Sequence, residues 1–398
     1  MEEWFRQLVS GKRCGIRAGL LRIFFCCISF FYWFVSQCRN FLYDYKILKI
    51  HKVDIPVISV GNLTLGGTGK SPMVAWLCEY FIEQGKIPAI ISRGYRRKNT
   101  KSGSESNLKS ESKLNLISGK SNAADNADND MFEVNDEYLE LAFRVPDVYH
   151  FQNRDRVVAI RKLLSFAAAK GSKVDLAILD DGMQHRRLKR DFEIVLLDAM
   201  EPFGYGYIFP RGMLRESVRS LDRADVILLS RADLISAEER KQIEAFVNKI
   251  TSKAIYAEII HTPQKIFYFG GNETNVKTIR EKNILAFCGI GNPNAFYATV
   301  KNISDGRIRF EKYPDHYGYT KNDVIEIVQK AIESNVDLIL CTMKDFVKIN
   351  QILKSDIDSE ILESLQKIPI AALIVQIKFL NNESMFKNAL NKIIVNIQ

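Results

Sequence analysis

The chain has 398 residues and a mass of 45.6 kDa, of which 46% of residues are hydrophobic and 26% charged. This near-average usage excludes a disordered, collagen-like or disulfide-stabilised chain, and a single long apolar run excludes a polytopic membrane protein. The net charge is +9, and residues 1–52 hold nine Lys and Arg against three Asp and Glu. Because this basic excess is clustered among aromatic and aliphatic residues, it favours an anionic membrane surface over nucleic acid.

The apolar run occupies residues 23–35 and reads IFFCCISFFYWFV. Thirteen helical residues reach about 20 Å, short of the roughly 30 Å hydrocarbon core. Basic residues flank the run on both sides, which is typical of a helix lying in an anionic leaflet. Residues 1–52 are therefore predicted to be a membrane-associating segment. A signal peptide, for which no cleavage site is recognisable, and a helix buried against the core remain alternatives.

The next two hundred residues alternate apolar runs with helical patterns. Uniformly apolar strands separated by helices indicate a parallel sheet covered on both faces. We therefore predict an α/β fold, with a P-loop NTPase-like domain over residues 53–252. The predicted strands are residues 56–60, 87–92, 174–181, 192–199 and 224–231, and the predicted helices are residues 73–85 and 157–171.

Residues 97–134 interrupt this alternation with a stretch rich in Ser, Asn, Lys and Asp. That composition predicts a flexible, solvated insertion at the rim of the site.

A glycine-rich loop at residues 61–72 follows the first strand and precedes the first helix of this domain, which is the context that a P-loop requires. Lys70 is expected to reach the β- and γ-phosphates of ATP, and the hydroxyl of Ser71 to reach Mg²⁺. The general P-loop sequence pattern has glycine at the position that Thr64 occupies in this chain. The predicted ATP-binding residues are Thr64, Leu65, Gly66, Gly67, Thr68, Gly69, Lys70 and Ser71.

Two adjacent carboxylates, Asp180 and Asp181, end the apolar strand at residues 174–181. They are expected at the carboxyl edge of the sheet beside the P-loop, where carboxylates hold Mg²⁺ directly or through water. Because successive strand residues face opposite ways, one of the two is expected to be structural unless the strand has already ended. Gln184 and His185 follow within one turn and are predicted to support the site.

The C-terminal part predicts a second, smaller α/β domain over residues 271–398. Residues 253–270 look like two strands flanking His261, Thr262 and Pro263, and are predicted to link the domains.

Taken together, these motifs resemble the tetraacyldisaccharide 4'-kinase family, which acts in lipid A biosynthesis. The resemblance implies transfer of the γ-phosphoryl group of ATP to the 4'-hydroxyl of tetraacyldisaccharide 1-phosphate, giving lipid IVA. The motifs are GNLTLGGTGKSP (61–72), SRGY (92–95), NDE (135–137), DDGMQH (180–185), LRE (214–216), GIGNP (289–293), PDH (314–316) and MKDFVK (343–348).

The resemblance also implies roles for individual residues. The catalytic aspartate falls on Asp136, with Glu137 beside it, and the catalytic histidine on His316. Asp136 is expected to accept the hydroxyl proton while His316 orients it, after two domains close over the nucleotide. Arg93 is expected either to support the charge of phosphate or sugar or to form a surface salt bridge. The metal-associated positions fall on Ser71, Asp180, Asp181 and Glu216.

The expected partners are the glycolipid substrate and the inner-membrane surface, with no nucleic acid and no protein partner. The predicted location is the cytoplasmic face of the inner membrane, as a peripheral or monotopic protein. The alternative is a membrane-associated P-loop nucleotide switch or metallochaperone-like GTPase. Residues 230–233, SRAD, keep only the aspartate of the guanine-reading N-K-x-D motif, which disfavours GTP.

Overall fold

The structure is a computed structural model and describes residues 2–96, 132–133, 136–355 and 359–395. The predicted insertion at residues 97–134 lies outside the described residues, except for residues 132–133. The described helices are α1 (Glu2–Val9), α2 (Ile16–Asp44), α3 (Lys70–Glu83), α4 (Asp136–Arg144), α5 (Arg156–Ala169), α6 (Ala237–Ile250), α7 (Pro293–Ile303), α8 (Lys321–Glu333), α9 (Met343–Ser355), α10 (Ser359–Lys367) and α11 (Glu383–Val395).

The described strands alternate with these helices along the chain. They are β1 (Val57–Asn62), β2 (Pro88–Ser92), β3 (Tyr95–Arg96), β4 (Phe132–Glu133), β5 (Tyr149–Gln152), β6 (Leu176–Asp180), β7 (Phe192–Asp198), β8 (Val226–Ser230), β9 (Ile255–Tyr268), β10 (Glu273–Asn275), β11 (Ile284–Cys288), β12 (Ile308–Lys312), β13 (Leu338–Thr342) and β14 (Ile370–Phe379).

The chain divides into two compact units. Unit 1 comprises Met1–Arg93, Val148–Ile260 and Lys378–Gln398, and unit 2 comprises Gly94–Asp147 and His261–Ile377. The chain passes from unit 1 to unit 2 along β9 and returns along β14. This division differs from the sequence-based one, which grouped residues 94–147 with the P-loop and the C-terminal helix with the second domain.

Unit 1 contains the predicted parallel sheet. Its strands run in the order β9, β8, β7, β1, β6, β2 and β5, and every neighbouring pair is parallel. Every residue of β1, β2, β6, β7 and β8 is buried. The uniformly apolar runs thus reflect strands covered on both faces, and the parallel arrangement puts all their carboxyl ends at one edge.

In unit 2, β12, β11, β13 and β14 are parallel neighbours. Its core includes Phe287 and Phe346, and the first residues of α4 after Asp136, such as Tyr138 and Leu139, join the same core. Helix α4 packs against α9, which explains why this segment belongs to unit 2.

The linker prediction of two strands flanking residues 261–263 is wrong, because β9 runs through them without interruption. Residues 255–259 of β9 pair with β8, and residues 265–267 pair with β10. Pro263 lies between the stretch that pairs with β8 and the stretch that pairs with β10.

The N-terminal helix α2 is longer than the 13-residue apolar run, since it spans 29 residues. Among the described residues it is the helix that is long and apolar enough to cross a membrane. One face is fixed to unit 1. Ser29 donates to the carbonyl of Ile208 at 2.8 Å, and the carbonyl of Asn40 accepts from Arg186 at 3.1 Å. The remaining circumference carries exposed aromatic and aliphatic side chains, including Phe30, Phe31 and Phe34.

Candidate active site

The P-loop connects the carboxyl end of β1 to the first turn of α3. Helix α3 begins at Lys70, and Gly69 before it has a φ of 88°, in the left-handed region that glycine occupies without strain. Lys70 and Ser71 therefore lie in the first turn, where backbone N–H groups lack helical partners and the helix dipole favours an anion. The predicted strand, loop and helix are all present, although the helix begins two residues before Pro72.

The first half of the loop is held by neighbouring backbone. The side-chain amide of Asn62 donates to the carbonyl of Thr64 at 2.8 Å, and the N–H of Leu65 donates to the carbonyl of Met213 at 2.7 Å. The N–H of Arg215 in turn donates to the carbonyl of Leu63 at 2.7 Å. This part of the loop is thus shaped by the fold before any ligand binds.

The acidic strand end lies beside this loop, as predicted. In the parallel register of β1 and β6, Val60 is the partner of Asp180. Close approach is possible because of Gly61, where an added Cβ would lie 2.5 Å from the Cβ of Met183. The carboxyl edge therefore brings the residues after β6 next to the residues after β1.

The two carboxylates differ in their surroundings. Asp180 is 3% exposed and ends β6, whereas Asp181 has a φ of 55° and has left the strand. Asp181 lies 3.5 Å from the ammonium of Lys70 and accepts from Arg215 at 2.8 and 2.9 Å. Burial opposes ionisation of Asp181, but Lys70 and Arg215 outweigh it and bring its pKa down to about 2. Asp181 is thus a fixed negative charge next to the P-loop lysine.

Arg215 is a site residue that the sequence analysis did not single out, although it stands in the LRE motif next to Glu216. Its Nη1 also lies 3.3 Å from the side-chain oxygen of Gln184, whose amide donates to the carbonyl of Asn62 at 3.0 Å. Gln184 therefore links the acidic turn to the end of β1, where the P-loop begins.

His185 and Arg93 lie at the edge of this arrangement. Burial lowers the pKa of His185 to about 4, and the charge of Arg156 acts in the same direction, so the ring is neutral at physiological pH. Arg93 follows β2 at the same carboxyl edge, and its side chain is exposed.

Ser71, Asp180 and Asp181 supply hydroxyl and carboxylate oxygens, the ligand type that Mg²⁺ prefers. Their common position at the carboxyl edge is consistent with the predicted metal site. Within the described ranges, no group of three or more His, Cys, Asp or Glu side chains is arranged to hold a metal. The oxygen donors of Ser71, Asp180 and Asp181 are the feature of this edge that fits Mg²⁺.

Glu216 does not fit the predicted metal role. It is 1% exposed, and both carboxylate oxygens are already occupied. Its Oε1 accepts from Arg39 at 3.2 Å, and its Oε2 accepts from Asn40, Ser220 and Arg223 at 3.1, 2.9 and 2.8 Å. Since Arg39 and Asn40 belong to α2, this carboxylate is an anchor for the N-terminal helix.

Unit 2 contains a second group of predicted site residues. Asp136 begins α4, and its Oδ2 lies 3.3 Å from Nδ1 of His316. Glu137 lies 3.7 Å from Nε2 of the same ring. His316 has a φ of 58°, an uncommon backbone conformation that often marks functional positions. The predicted catalytic pair therefore meets within one unit, whereas the sequence analysis had assigned its members to different domains.

Two lysines of α9 complete this group. Lys348 donates to Oδ2 of Asp136 at 3.0 Å and to the carbonyl of Tyr317 at 2.8 Å, while Lys344 lies 3.3 Å from Glu137. The sequence analysis quoted the motif MKDFVK without assigning these lysines a role. Their spacing of four residues, which places both on one face of a helix, was the available signal.

The buried carboxylate of Asp345 connects two of the motifs. It accepts from the N–H of Gly289 at 3.0 Å, from the hydroxyl of Tyr319 at 3.1 Å and from the hydroxyl of Thr342 at 2.6 Å. Burial raises the pKa of Asp345 above its usual value. This network joins GIGNP and MKDFVK next to the loop that carries His316.

The charges of this group favour ionised side chains. Burial opposes ionisation of Asp136, but the hydrogen bond from His316 and the charge of Lys348 bring its pKa down to about 2. The same hydrogen bond raises the pKa of His316 above its usual value. Asp136 is thus a carboxylate at neutral pH, and His316 is favoured in its charged form.

Comparisons with known proteins add to this geometry. The sequence profile of the family described as Tetraacyldisaccharide-1-P 4'-kinase matches residues 21–395. A tetraacyldisaccharide 4'-kinase from Halothermothrix orenii is 31% identical and one from Desulfotalea psychrophila 33% identical. The matches cover 79% and 81% of this chain and 79% and 86% of those proteins.

A solved structure is similar in fold over most of the chain. The chain is similar to LpxK from Aquifex aeolicus, crystallised in complex with ATP, with a TM-score of 0.62 and 26% sequence identity. The match covers 95% of this chain and 99% of the other.

Proposed function

The chain belongs to the tetraacyldisaccharide-1-P 4'-kinase family, and we propose that it transfers the γ-phosphoryl group of ATP to the 4'-hydroxyl of tetraacyldisaccharide 1-phosphate. The product is lipid IVA, so the enzyme is an ATP-dependent lipid kinase of lipid A biosynthesis. The observation that carries the proposal is the contact between Lys70, in the first turn of α3, and Asp181, at the end of the neighbouring strand. In this contact, the lysine that we propose to bind phosphate lies beside a carboxylate at the carboxyl edge of the sheet, which supports the proposal.

ATP binds through the loop at residues 64–71. Backbone N–H groups at the start of α3 donate hydrogen bonds to phosphate oxygens. Lys70 leaves Asp181 and contacts the β- and γ-phosphates instead. Arg215 then remains as the partner of Asp181, so this carboxylate is not left without a counter-charge. Loss of the lysine contact therefore costs less than it would at an isolated buried carboxylate.

Mg²⁺, when bound, neutralises charge on the phosphates during transfer. Ser71, Asp180 and Asp181 are the residues that would hold it, directly or through water. Glu216 is not included in this set, because four protein donors already occupy its oxygens.

Asp136 acts as the general base for the 4'-hydroxyl, and His316 orients its carboxylate. The proposal is supported by the 3.3 Å contact between the two side chains and by the ionised state of Asp136 at neutral pH. Glu137 lies 3.7 Å from the other ring nitrogen of His316 and adds negative charge on that side of the ring. Arg93, Gln184 and His185 have supporting roles around the phosphates.

The acceptor is a glycolipid, and the enzyme meets it at an anionic membrane surface through α2. Buried hydrogen bonds at Ser29 and Asn40, eleven residues apart along α2, fix one side of the helix to protein. A helix bound in this way along about 16 Å is not surrounded by lipid, so it lies in the interface instead of crossing the bilayer. The enzyme is thus monotopic, on the cytoplasmic face of the inner membrane where ATP is available.

One assay separates this function from that of a nucleotide switch. Purified full-length protein is incubated with labelled ATP and Mg²⁺, with and without tetraacyldisaccharide 1-phosphate in mixed micelles. The kinase is expected to phosphorylate the glycolipid and to release little phosphate without it. Hydrolysis that does not depend on the acceptor, or failure to label the glycolipid, contradicts the proposal. An acceptor lacking the 4'-hydroxyl serves as the matched control.

A further inference from the structure

Arg231 occupies an unusual position at the carboxyl edge of the sheet of unit 1. It follows β8 directly and has a φ of 59°, in the left-handed region that non-glycine residues rarely adopt. It belongs to the segment at residues 230–233, in which the sequence analysis sought a guanine-reading motif. Backbone strain of this kind is retained where the surrounding structure imposes it.

The guanidinium of Arg231 bridges two other strand ends. Its Nη1 donates to Oδ2 of Asp198, the last residue of β7, at 2.6 Å. Its Nη2 donates to the carbonyl oxygen of Gly67, in the P-loop after β1, at 2.9 Å. The other oxygen of Asp198 accepts from the N–H of Met200 at 3.1 Å, so the carboxylate is oriented from both sides. Since β8, β7 and β1 are neighbours in the sheet, the bridge joins three adjacent strand ends.

This contact falls on Gly67, beyond the loop residues whose hydrogen bonds are described above. Asn62 and the segment around Met213 hold residues 63–65, as described above. Gly67 lies beyond them, in the part of the loop that leads to Lys70. The guanidinium of Arg231 thus contacts the part of the P-loop that leads into the first turn of α3.

Holding the carbonyl of Gly67 also fixes the following amide. A carbonyl and the N–H of the next residue lie in one trans peptide plane and point in opposite directions. A carbonyl bound to Arg231 on one side therefore fixes the direction of the Thr68 N–H on the other side. That N–H is among the backbone donors that a P-loop offers to phosphate oxygens. The charge of Asp198 largely offsets that of Arg231, so orientation of the peptide is the main effect.

We propose that Arg231, oriented by Asp198, is a positioning residue that fixes the Gly67–Thr68 peptide for ATP binding. The inference rests on the proposed ATP binding by the P-loop and adds a role for residues 230–233. The geometry requires an arginine, because two donors of one planar fork reach two acceptors at once. A lysine at this position pairs with Asp198 as a point charge but does not make the second contact.

The test compares Arg231→Gln, Arg231→Lys and Asp198→Asn in the full-length protein. The Michaelis constants for ATP and for the glycolipid, kcat and the dissociation constant for ATP are measured for each. Arg231→Gln is expected to raise the Michaelis constant and the dissociation constant for ATP about tenfold, as for the loss of one well-placed hydrogen bond to a binding loop. The Michaelis constant for the glycolipid is expected to stay unchanged. Arg231→Lys is expected to resemble Arg231→Gln, and Asp198→Asn to give a smaller rise.

The control is Arg280→Gln, which breaks an exposed ion pair with Asp305 and is expected to leave all constants at their wild-type values. ATP constants within twofold of wild type in Arg231→Gln overturn the inference, as does full recovery in Arg231→Lys, which would indicate a purely structural ion pair. If Arg231→Gln fails to fold, unchanged ATP constants in Asp198→Asn overturn it instead. Wild-type protein that does not bind ATP overturns the proposed function as well, so the two failures are distinguishable.

Discussion

Lys348 donates a 3.0 Å hydrogen bond to the same carboxylate oxygen of Asp136 that faces His316. The proposed base therefore lies between two cationic or potentially cationic groups. Both contacts stabilise the carboxylate, which explains why the pKa of Asp136 falls to about 2 although burial opposes ionisation. The base is always deprotonated at physiological pH, and its position is fixed from two directions.

Replacing Lys348 by Met is expected to raise the pKa of Asp136. In the wild-type protein this pKa is depressed, so the ionised carboxylate stabilises the fold above about pH 4, and that contribution is lost as the pH falls towards 2. Lys348→Met should therefore lower the free energy of unfolding more at pH 6 than at pH 3, by about 1 kcal/mol after allowance for solvent screening. Urea unfolding at both pH values measures the difference.

Asp345 requires a control in this experiment, because it lies 3.8 Å from the same ammonium. The comparison of Lys348→Met with wild type is repeated in an Asp136→Asn background. If Asp136 is the group responsible, the pH dependence of the lysine effect shrinks in that background. An undiminished pH dependence would assign the effect to Asp345.

Replacing Asp136 by Asn is expected to lower the rate of transfer to the glycolipid by roughly 10²- to 10⁴-fold, because the amide cannot accept the hydroxyl proton. The ATP dissociation constant should stay within about threefold of wild type, since the loop at residues 64–71 is unchanged. Asp222→Asn, at an exposed carboxylate paired with Lys253, is the matched control and should retain full activity. Wild-type turnover in Asp136→Asn would refute the base assignment.

Replacing Glu216 by Gln tests whether this residue anchors α2 or binds metal. The change leaves Arg39 and Arg223 without their carboxylate, so we expect a loss of roughly 3–5 kcal/mol of stability, seen as a lower melting temperature. The Mg²⁺ concentration for half-maximal activity should not change. Glu273→Gln, at an exposed ion pair with Lys265, is the control for loss of a surface charge. A tenfold higher Mg²⁺ requirement with an unchanged melting temperature would restore Glu216 as a ligand.

The exposed side of α2 is expected to bind lipid. Phe31 is 68% exposed, and Phe31→Asp should weaken association with vesicles containing phosphatidylglycerol at least about tenfold, because it removes buried apolar area and adds a repelled charge. Ile332→Asp, at a 51% exposed position on α8 of unit 2, is the matched control. Sedimentation with vesicles measures both variants. A specific role for α2 would be contradicted if both substitutions weakened vesicle association equally, or if neither weakened it.

Some site residues could be predicted from the sequence because their signals are local. The order of β1, a glycine-rich loop and α3 specifies where Lys70 and Ser71 lie, and an apolar run ending in Asp180 specifies a strand end. Parallel strands then bring both to one edge of the sheet, so their proximity follows from the pattern. The sequence allowed Asp181 either to continue the strand or to follow its end. The choice depends on the backbone conformation at Asp181, which its neighbours in the fold determine.

What the sequence by itself determined about this protein is its family, its P-loop and the carboxylates at the end of β6. Only the tertiary structure decided that Asp136 shares a unit with His316 and Lys348, that Glu216 anchors α2, and that Arg231 reaches the P-loop. The physical reason is that each of these contacts joins residues far apart in the chain. A charged side chain has many possible partners among residues distant in the sequence, and the packing of helices and strands decides which of them it contacts.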